Sequence, residues 1–122
     1  MKMPEIAIID DDLDFLKIFK DKLKFLDYEC KIFSNPESAM KQIFDFDVVF
    51  LDYNLGRVNG KEILAKIKSK KKTIYVIMIS GYIIDNVIKR NIYNALYSFH
   101  SKPIDFNIIK KELDELFRNQ KI

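Results

Sequence analysis

Cysteine, histidine and tryptophan are nearly or wholly missing from this chain, and glycine is scarce. Its 122 residues hold one cysteine (Cys30), one histidine (His100), three glycines (Gly56, Gly60 and Gly81), three prolines and no tryptophan. One cysteine cannot close an internal disulfide, which excludes a disulfide-stapled fold. One histidine and one cysteine cannot supply a tetrahedral zinc site or an H-E-x-x-H helix. Three scattered glycines cannot form the G-x-G-x-x-G loop that cradles a dinucleotide. No apolar run reaches the roughly 18–20 residues that span a bilayer, and Met1 to Glu5 lack the pattern of a signal peptide. A soluble, cytoplasmic chain with no membrane partner is the expectation.

Neither sign of charge dominates. The chain has 21 basic and 18 acidic side chains, a formal charge of +3. Much of the excess sits in Lys66, Lys68, Lys70, Lys71 and Lys72. Lys61 to Lys72 reads as a helix whose basic last turn complements the helix dipole, so no direct nucleic-acid contact is expected from it. Hydrophobic residues make up 48% of the chain, enough for a sizeable core and too many for a disordered tail.

Short apolar runs alternate with amphipathic stretches. Ile6-Ala7-Ile8-Ile9 reads as a buried strand ended by Asp10-Asp11-Asp12. Phe15, Leu16, Phe19, Leu23 and Leu26 then recur at helical spacing. Tyr28 to Phe33 is a second strand, and Ser34-Asn35-Pro36 opens a helix carrying Ala39, Met40, Ile43 and Phe44. Val48 to Leu51 is a third strand ending on Asp52, followed by a loop with Gly56 and Gly60 and a helix with Ile63, Leu64 and Ile67. Ile74 to Ile79 is a fourth strand closed by Ser80-Gly81, and Ile84, Val87, Ile88 and Ala95 mark the next helix. Tyr97 to Ser101, ended by Lys102-Pro103, is a fifth strand, and Phe106, Ile109, Leu113, Leu116 and Phe117 line the last helix. Strands apolar on both faces and alternating with helices predict an α/β domain with a doubly wound parallel sheet. Chemistry in such sheets collects beyond the carboxyl ends of the strands.

Those ends offer Asp10-Asp11-Asp12, Asp52, Ser80 and Lys102. Clustered carboxylates raise one another's pKa unless a cation lies among them. An oxygen-only donor set favours a hard ion such as Mg²⁺. A lysine and a hydroxyl facing that ion suit phosphoryl transfer, where charge spreads over three oxygens. A carboxylate can itself be the nucleophile, forming an acyl phosphate.

In these residues the chain resembles, over its whole length, the receiver domain of two-component response regulators. The resemblance rests on Ile8-Ile9-Asp10-Asp11, on Leu51 to Leu55 with Gly60 eight residues after Asp52, on Met78-Ile79-Ser80-Gly81, and on Lys102-Pro103, with Lys102 22 residues after Ser80. It implies a flavodoxin-like fold: five parallel strands in the order 2-1-3-4-5 with five helices. It implies that Asp52 accepts a phosphoryl group from the phosphohistidine of a sensor histidine kinase or phosphotransfer protein. Asp11 would bind Mg²⁺ directly, Asp10 mostly through water, and Asp52 and the backbone carbonyl of Asn54 would complete the set. Lys102 would pair with Asp52 and then with the phosphoryl group. Ser80 and Phe99 would be the switch residues, and Asn54 and Tyr82 would tune dephosphorylation, a bulky Tyr82 slowing it. The expected scope is a receiver over residues 1–122 with no output domain, monomeric or weakly dimeric, catalysing only its own phosphorylation and dephosphorylation. Its protein target would dock on the fourth helix, fifth strand and fifth helix, from about Ile84 to Phe117.

Some positions depart from the family pattern. Gly56 stands where proline is usual, four residues after Asp52, and position 99 is Phe instead of Tyr. The triple aspartate is read with Asp10 and Asp11 as the metal pair, because the apolar run ends at Ile9, and with Asp12 starting the helix. His100 is expected to pack or face solvent, and Cys30 to act as a small strand hydrophobe. Gly56 to Glu62 is not a phosphate loop, and Phe15 replaces the glycine that a calcium loop needs after Asp10-x-Asp12-x-Asp14. Two alternatives stay open: a haloacid-dehalogenase-type phosphatase with Asp10 as nucleophile, which leaves Asp52 unexplained, and a degenerate receiver that binds partners without phosphorylation.

Overall fold

The five predicted strands form one parallel sheet. A computed structural model describes residues 3–82 and 84–118, apart from the side chains of Val87, Ile88 and Asn91, so the expected role of Val87 and Ile88 in a helix face lies outside the described residues. The strands are β1 (Ile6–Ile9), β2 (Cys30–Phe33), β3 (Val48–Asp52), β4 (Tyr75–Ser80) and β5 (Ser98–Ser101), in the spatial order β2-β1-β3-β4-β5. The helices are α1 (Leu13–Phe25), α2 (Pro36–Met40), α3 (Gly60–Lys70), α4 (Asn86–Tyr93) and α5 (Phe106–Phe117). None of the described helices is long and apolar enough to cross a membrane.

Alternate strand residues bury on opposite faces, which is why β1, β3 and β4 are apolar nearly throughout, while the edge strands β2 and β5 carry Lys31, Ser98 and His100. Ile6, Ile8, Val48, Phe50, Ile77 and Ile79 pack with Leu16, Phe19 and Leu23 of α1 and Ile109 and Leu113 of α5. Ala7, Ile9, Val49, Leu51, Val76 and Met78 pack on the other face with Ala39 of α2, Ile63, Leu64 and Ile67 of α3, and Ile92 of α4. Phe19 anchors the first layer through an edge contact with Phe50, ring centroids 4.8 Å apart, and a tilted contact with Phe106 at 5.3 Å.

Several boundaries differ from the periodicity. The second strand starts at Cys30, because Asp27 adopts φ 66° and the Tyr28 amide donates back to the Leu23 carbonyl, closing α1. Tyr28 is a fully buried plug whose hydroxyl donates to Asp114 at 2.6 Å. The helix read through Phe44 stops at Met40 and is followed by a 3₁₀ turn over Ile43–Asp45. The third helix ends at Lys70, two residues short of Lys72, and β5 begins at Ser98. In place of a plain loop after Asp52, Asn54–Leu55 and Val58–Asn59 pair as a short antiparallel ribbon. Gly60 is not a loop residue; it is the first residue of α3, capped by the Asn59 side chain, which accepts from the Glu62 amide.

Candidate functional site

Sheet register places the polar strand ends side by side. Ile9 is level with Leu51, so Asp10 and Asp52 emerge at the same height on adjacent strands. Ser80 is level with Ser101, so Lys102 follows directly beyond the sheet edge. Asp12 caps α1, its side chain accepting from the Asp14 and Phe15 amides at 3.0 and 3.1 Å. That assigns it to the helix and leaves Asp10 and Asp11 as the acidic pair facing Asp52.

Asp10, Asp11 and Asp52 each offer a carboxylate oxygen within 4.8 Å of the others, a spacing that suits one cation. They line an open cleft of about 380 Å³ with Asn54, Gly81, Tyr82 and Lys102. Asp10 and Asp52 are buried and Asp11 is exposed. Lys102 Nζ stands 3.7 Å from Asp52 Oδ2, the expected ion pair, but donates more closely to Asp10 Oδ2 at 2.8 Å. Asp52 Oδ1 accepts from the Asn54 amide at 3.3 Å.

The electrostatics follow from this crowding. Burial, then the charge of Asp10, pushes the Asp52 carboxyl up to about 6, against the opposing pull of Lys102 and the Asn54 amide. Burial disfavours the Lys102 ammonium, but its hydrogen bond to Asp10 and the charges of both aspartates outweigh that and hold its pKa above the ordinary lysine value. A cation among these oxygens would relieve the repulsion, and the all-oxygen donor set fits a hard divalent ion.

The remaining singled-out residues are placed as follows. Ser80 is buried, donates its hydroxyl to the Tyr82 carbonyl at 3.0 Å and accepts from the Tyr82 amide at 3.1 Å. It is thus engaged with its own loop and does not line the cleft. Tyr82 is 67% exposed and forms part of the cleft wall. Phe99 is half-buried against the α3-side core, with Lys89 Nζ 4.9 Å from its ring centre.

Two participants were not singled out from sequence. Phe15 was read only as a core helix position, yet the Lys102 ammonium lies 4.0 Å from its ring centre. His100, expected to pack or face solvent, packs with its Nε2 hydrogen-bonded to Glu112 Oε1 and 3.2 Å from Ser98 Oγ. Burial works against the Glu112 charge, but the hydrogen bonds from His100 and Ser98 hold its pKa below the usual carboxylate range. A glutamate three residues after Ile109, on the apolar face of α5, was the signal that could have exposed this pair. Both groups bond the same imidazole nitrogen, so no Ser–His–acid relay exists here.

A sequence model of the response regulator receiver domain matches residues 6–114, most of the chain. The chain belongs to the response regulator receiver domain family. Among curated relatives, the transcriptional regulatory protein ZraR of Klebsiella oxytoca is 22% identical over 97% of this chain and 27% of its own length. The chain spans between about a quarter and a third of the length of the curated relatives it matches first. Among solved structures, a CheY-like receiver domain protein from Methanospirillum hungatei superposes with TM-score 0.83 at 26% identity, covering 98% of this chain and 100% of that one. The response regulator TrrA of Thermotoga maritima, solved in complex with Mg²⁺ and BeF, superposes with TM-score 0.81 at 25% identity, covering 94% and 100%. Asp10, the nucleophile in the phosphatase reading, is buried and bonded through its two oxygens to Lys102 and the Asp12 amide.

Proposed function

We propose that this receiver domain takes a phosphoryl group onto Asp52 from the phosphohistidine of a sensor histidine kinase or phosphotransfer protein. The observation that carries the reading is the convergence of Asp10, Asp11, Asp52 and Lys102 in one open cleft beyond the strand ends. In the transfer, an Asp52 carboxylate oxygen attacks phosphorus, a P–O bond forms, the P–N bond breaks and the imidazole leaves. Asp10, Asp11 and Asp52, with the Asn54 carbonyl, would hold Mg²⁺, as TrrA's structure contains it. Bound there, the ion neutralises charge on the transferring oxygens. Lys102, already 3.7 Å from Asp52, turns from Asp10 to a phosphoryl oxygen. Ser80 releases the Tyr82 carbonyl to bond another phosphoryl oxygen, and the 80–82 loop moves with it. Phe99 follows that movement and changes the face formed by α4, β5 and α5, where a target protein binds.

Incubation with acetyl phosphate and Mg²⁺ tests this. The intact protein should gain the mass of one phosphoryl group, and Asp52→Asn should gain none. An unphosphorylated parent would make the domain a phosphorylation-independent binding module.

The cleft wall also makes a prediction about lifetime. Tyr82 stands at the cleft mouth and is largely exposed, so its ring limits the approach of water to the acyl phosphate. Tyr82→Ala should lose its phosphate severalfold faster than the parent in a mass-resolved decay. Equal decay rates would remove Tyr82 from this role.

A further inference from the structure

The lysine cluster read from sequence as one basic helix end divides in two in the fold. Lys68 Nζ donates to the Ile74 carbonyl at 2.5 Å and to the Lys72 carbonyl at 3.3 Å. Lys71 Nζ donates to the Phe44 and Phe46 carbonyls at 3.0 and 3.4 Å. These two tie the end of α3 to its surroundings. Lys66 and Lys70, one helical turn apart, face a groove between α2 and α3 instead.

That groove holds about 350 Å³. It exists because α2 stops after five residues, leaving the flank of α3 uncovered. Its floor is apolar, made by Pro36, Met40, Val58 and Ile63. At its rim Lys41 joins Lys66 and Lys70, against a single acid, Glu37. None of the three ammonium groups has a carboxylate partner among the described residues. Val58 also pairs with Leu55 in the ribbon that follows Asp52, so an occupant would touch the segment that carries Asn54.

An apolar floor between helices under a net-positive rim matches one kind of occupant. We infer that the α2–α3 groove docks an acidic amphipathic helix of a partner protein, apolar residues down and carboxylates toward Lys41, Lys66 and Lys70. Apolar anchors at helical spacing supply most of the affinity in such grooves. Exposed rim charges set orientation and partner choice more than strength. Polynucleotide would satisfy the lysines but leave the apolar floor uncovered.

The inference is independent of phosphorylation and is tested on the whole chain by backbone amide shifts. The probe is a synthetic helix of about four turns, leucines along one face and glutamates elsewhere. A counterpart with lysine for every glutamate and a single-stranded oligonucleotide are the controls. The acidic peptide should shift the amides of Glu37, Lys41, Val58 and Lys66. Lys66→Glu combined with Lys70→Glu should weaken it at least about tenfold, with phosphoryl uptake by Asp52 unchanged. Several outcomes would overturn the proposal: no shifts up to about 1 mM peptide, shifts confined to α4 and α5, or equal binding of the lysine peptide. Tighter binding of the oligonucleotide, or a dimer in sedimentation that the paired substitution dissolves, would do the same.

Discussion

Gly60→Ala is expected to destabilise the domain by about 2–3 kcal/mol and to slow phosphoryl uptake about ten- to hundredfold. A Cβ at position 60 would lie 2.8 Å from both the Asp52 carbonyl oxygen and the Tyr53 Cα, and 3.3 Å from Met78 Cε. The two nearest atoms are backbone, so no side-chain rotation relieves the contact. The Gly60 amide also donates to the Tyr53 carbonyl, which draws the start of α3 against the end of β3. The chain must therefore move at Asp52 itself, and a small misplacement of a reacting group is costly. Thermal melts should show a midpoint lower by roughly 5–10 °C. Gly56→Ala is the control: φ there is +77° with nothing within 4 Å, so it carries only backbone strain of about 1 kcal/mol and should leave uptake nearly intact. If the two variants melt together, the close packing at Gly60 is not what requires glycine.

This changes the meaning of scarce glycine. The sequence places Gly60 in the loop that follows Asp52. In the fold it is a helix residue chosen for the absence of a side chain, where α3 presses on the strand that carries Asp52.

The strands β1, β3 and β4 were legible because burial on both faces makes each a continuous apolar run, and a run that stops on a polar residue marks its own end. For the same reason Asp10, Asp52 and Ser80 were legible as strand ends, while Lys102 follows the polar edge strand β5 and was marked by its proline neighbour and its spacing from Ser80. What escaped depends on tertiary partners or on units too short to show a period. The ribbon Asn54–Leu55 with Val58–Asn59 has strands of two residues, below any alternation signal. Met40, Ile43 and Phe44 keep helical spacing although the helix stops at Met40, because a 3₁₀ turn buries Ile43 just as well. The preference of Lys102 for Asp10 and the ring of Phe15 beneath it join residues far apart in the chain, where no local pattern exists.

Asp52→Asn should make the cation-free domain more stable at neutral pH, although it removes the group proposed to carry function. Burial and the neighbouring Asp10 charge raise the Asp52 carboxyl from the ordinary 3.8 to about 6, even with Lys102 nearby. The native state therefore binds this proton more tightly than the unfolded chain does. The stabilising contribution of the protonated form is fully present below about pH 4 and is lost as pH rises through about 6. Above that point the charged carboxylate, crowded by Asp10 and cut off from water, works against the folded state. An amide cannot ionise, so the variant escapes this cost. Its advantage should be largest near pH 7.5, a rise of a few degrees in melting midpoint, and should nearly vanish near pH 4.

Millimolar Mg²⁺ should then raise the midpoint of the parent and narrow the gap, because a cation that binds only the folded cluster offsets the same repulsion. The Asn variant, lacking one of three carboxylates, should respond less. These measurements require no phosphoryl donor, so they separate the charge balance of the cleft from its chemistry. A variant no more stable than the parent at pH 7.5 in chelator would mean that Lys102 neutralises Asp52 despite its closer bond to Asp10. Confirmation would show a site held in electrostatic tension until a cation arrives.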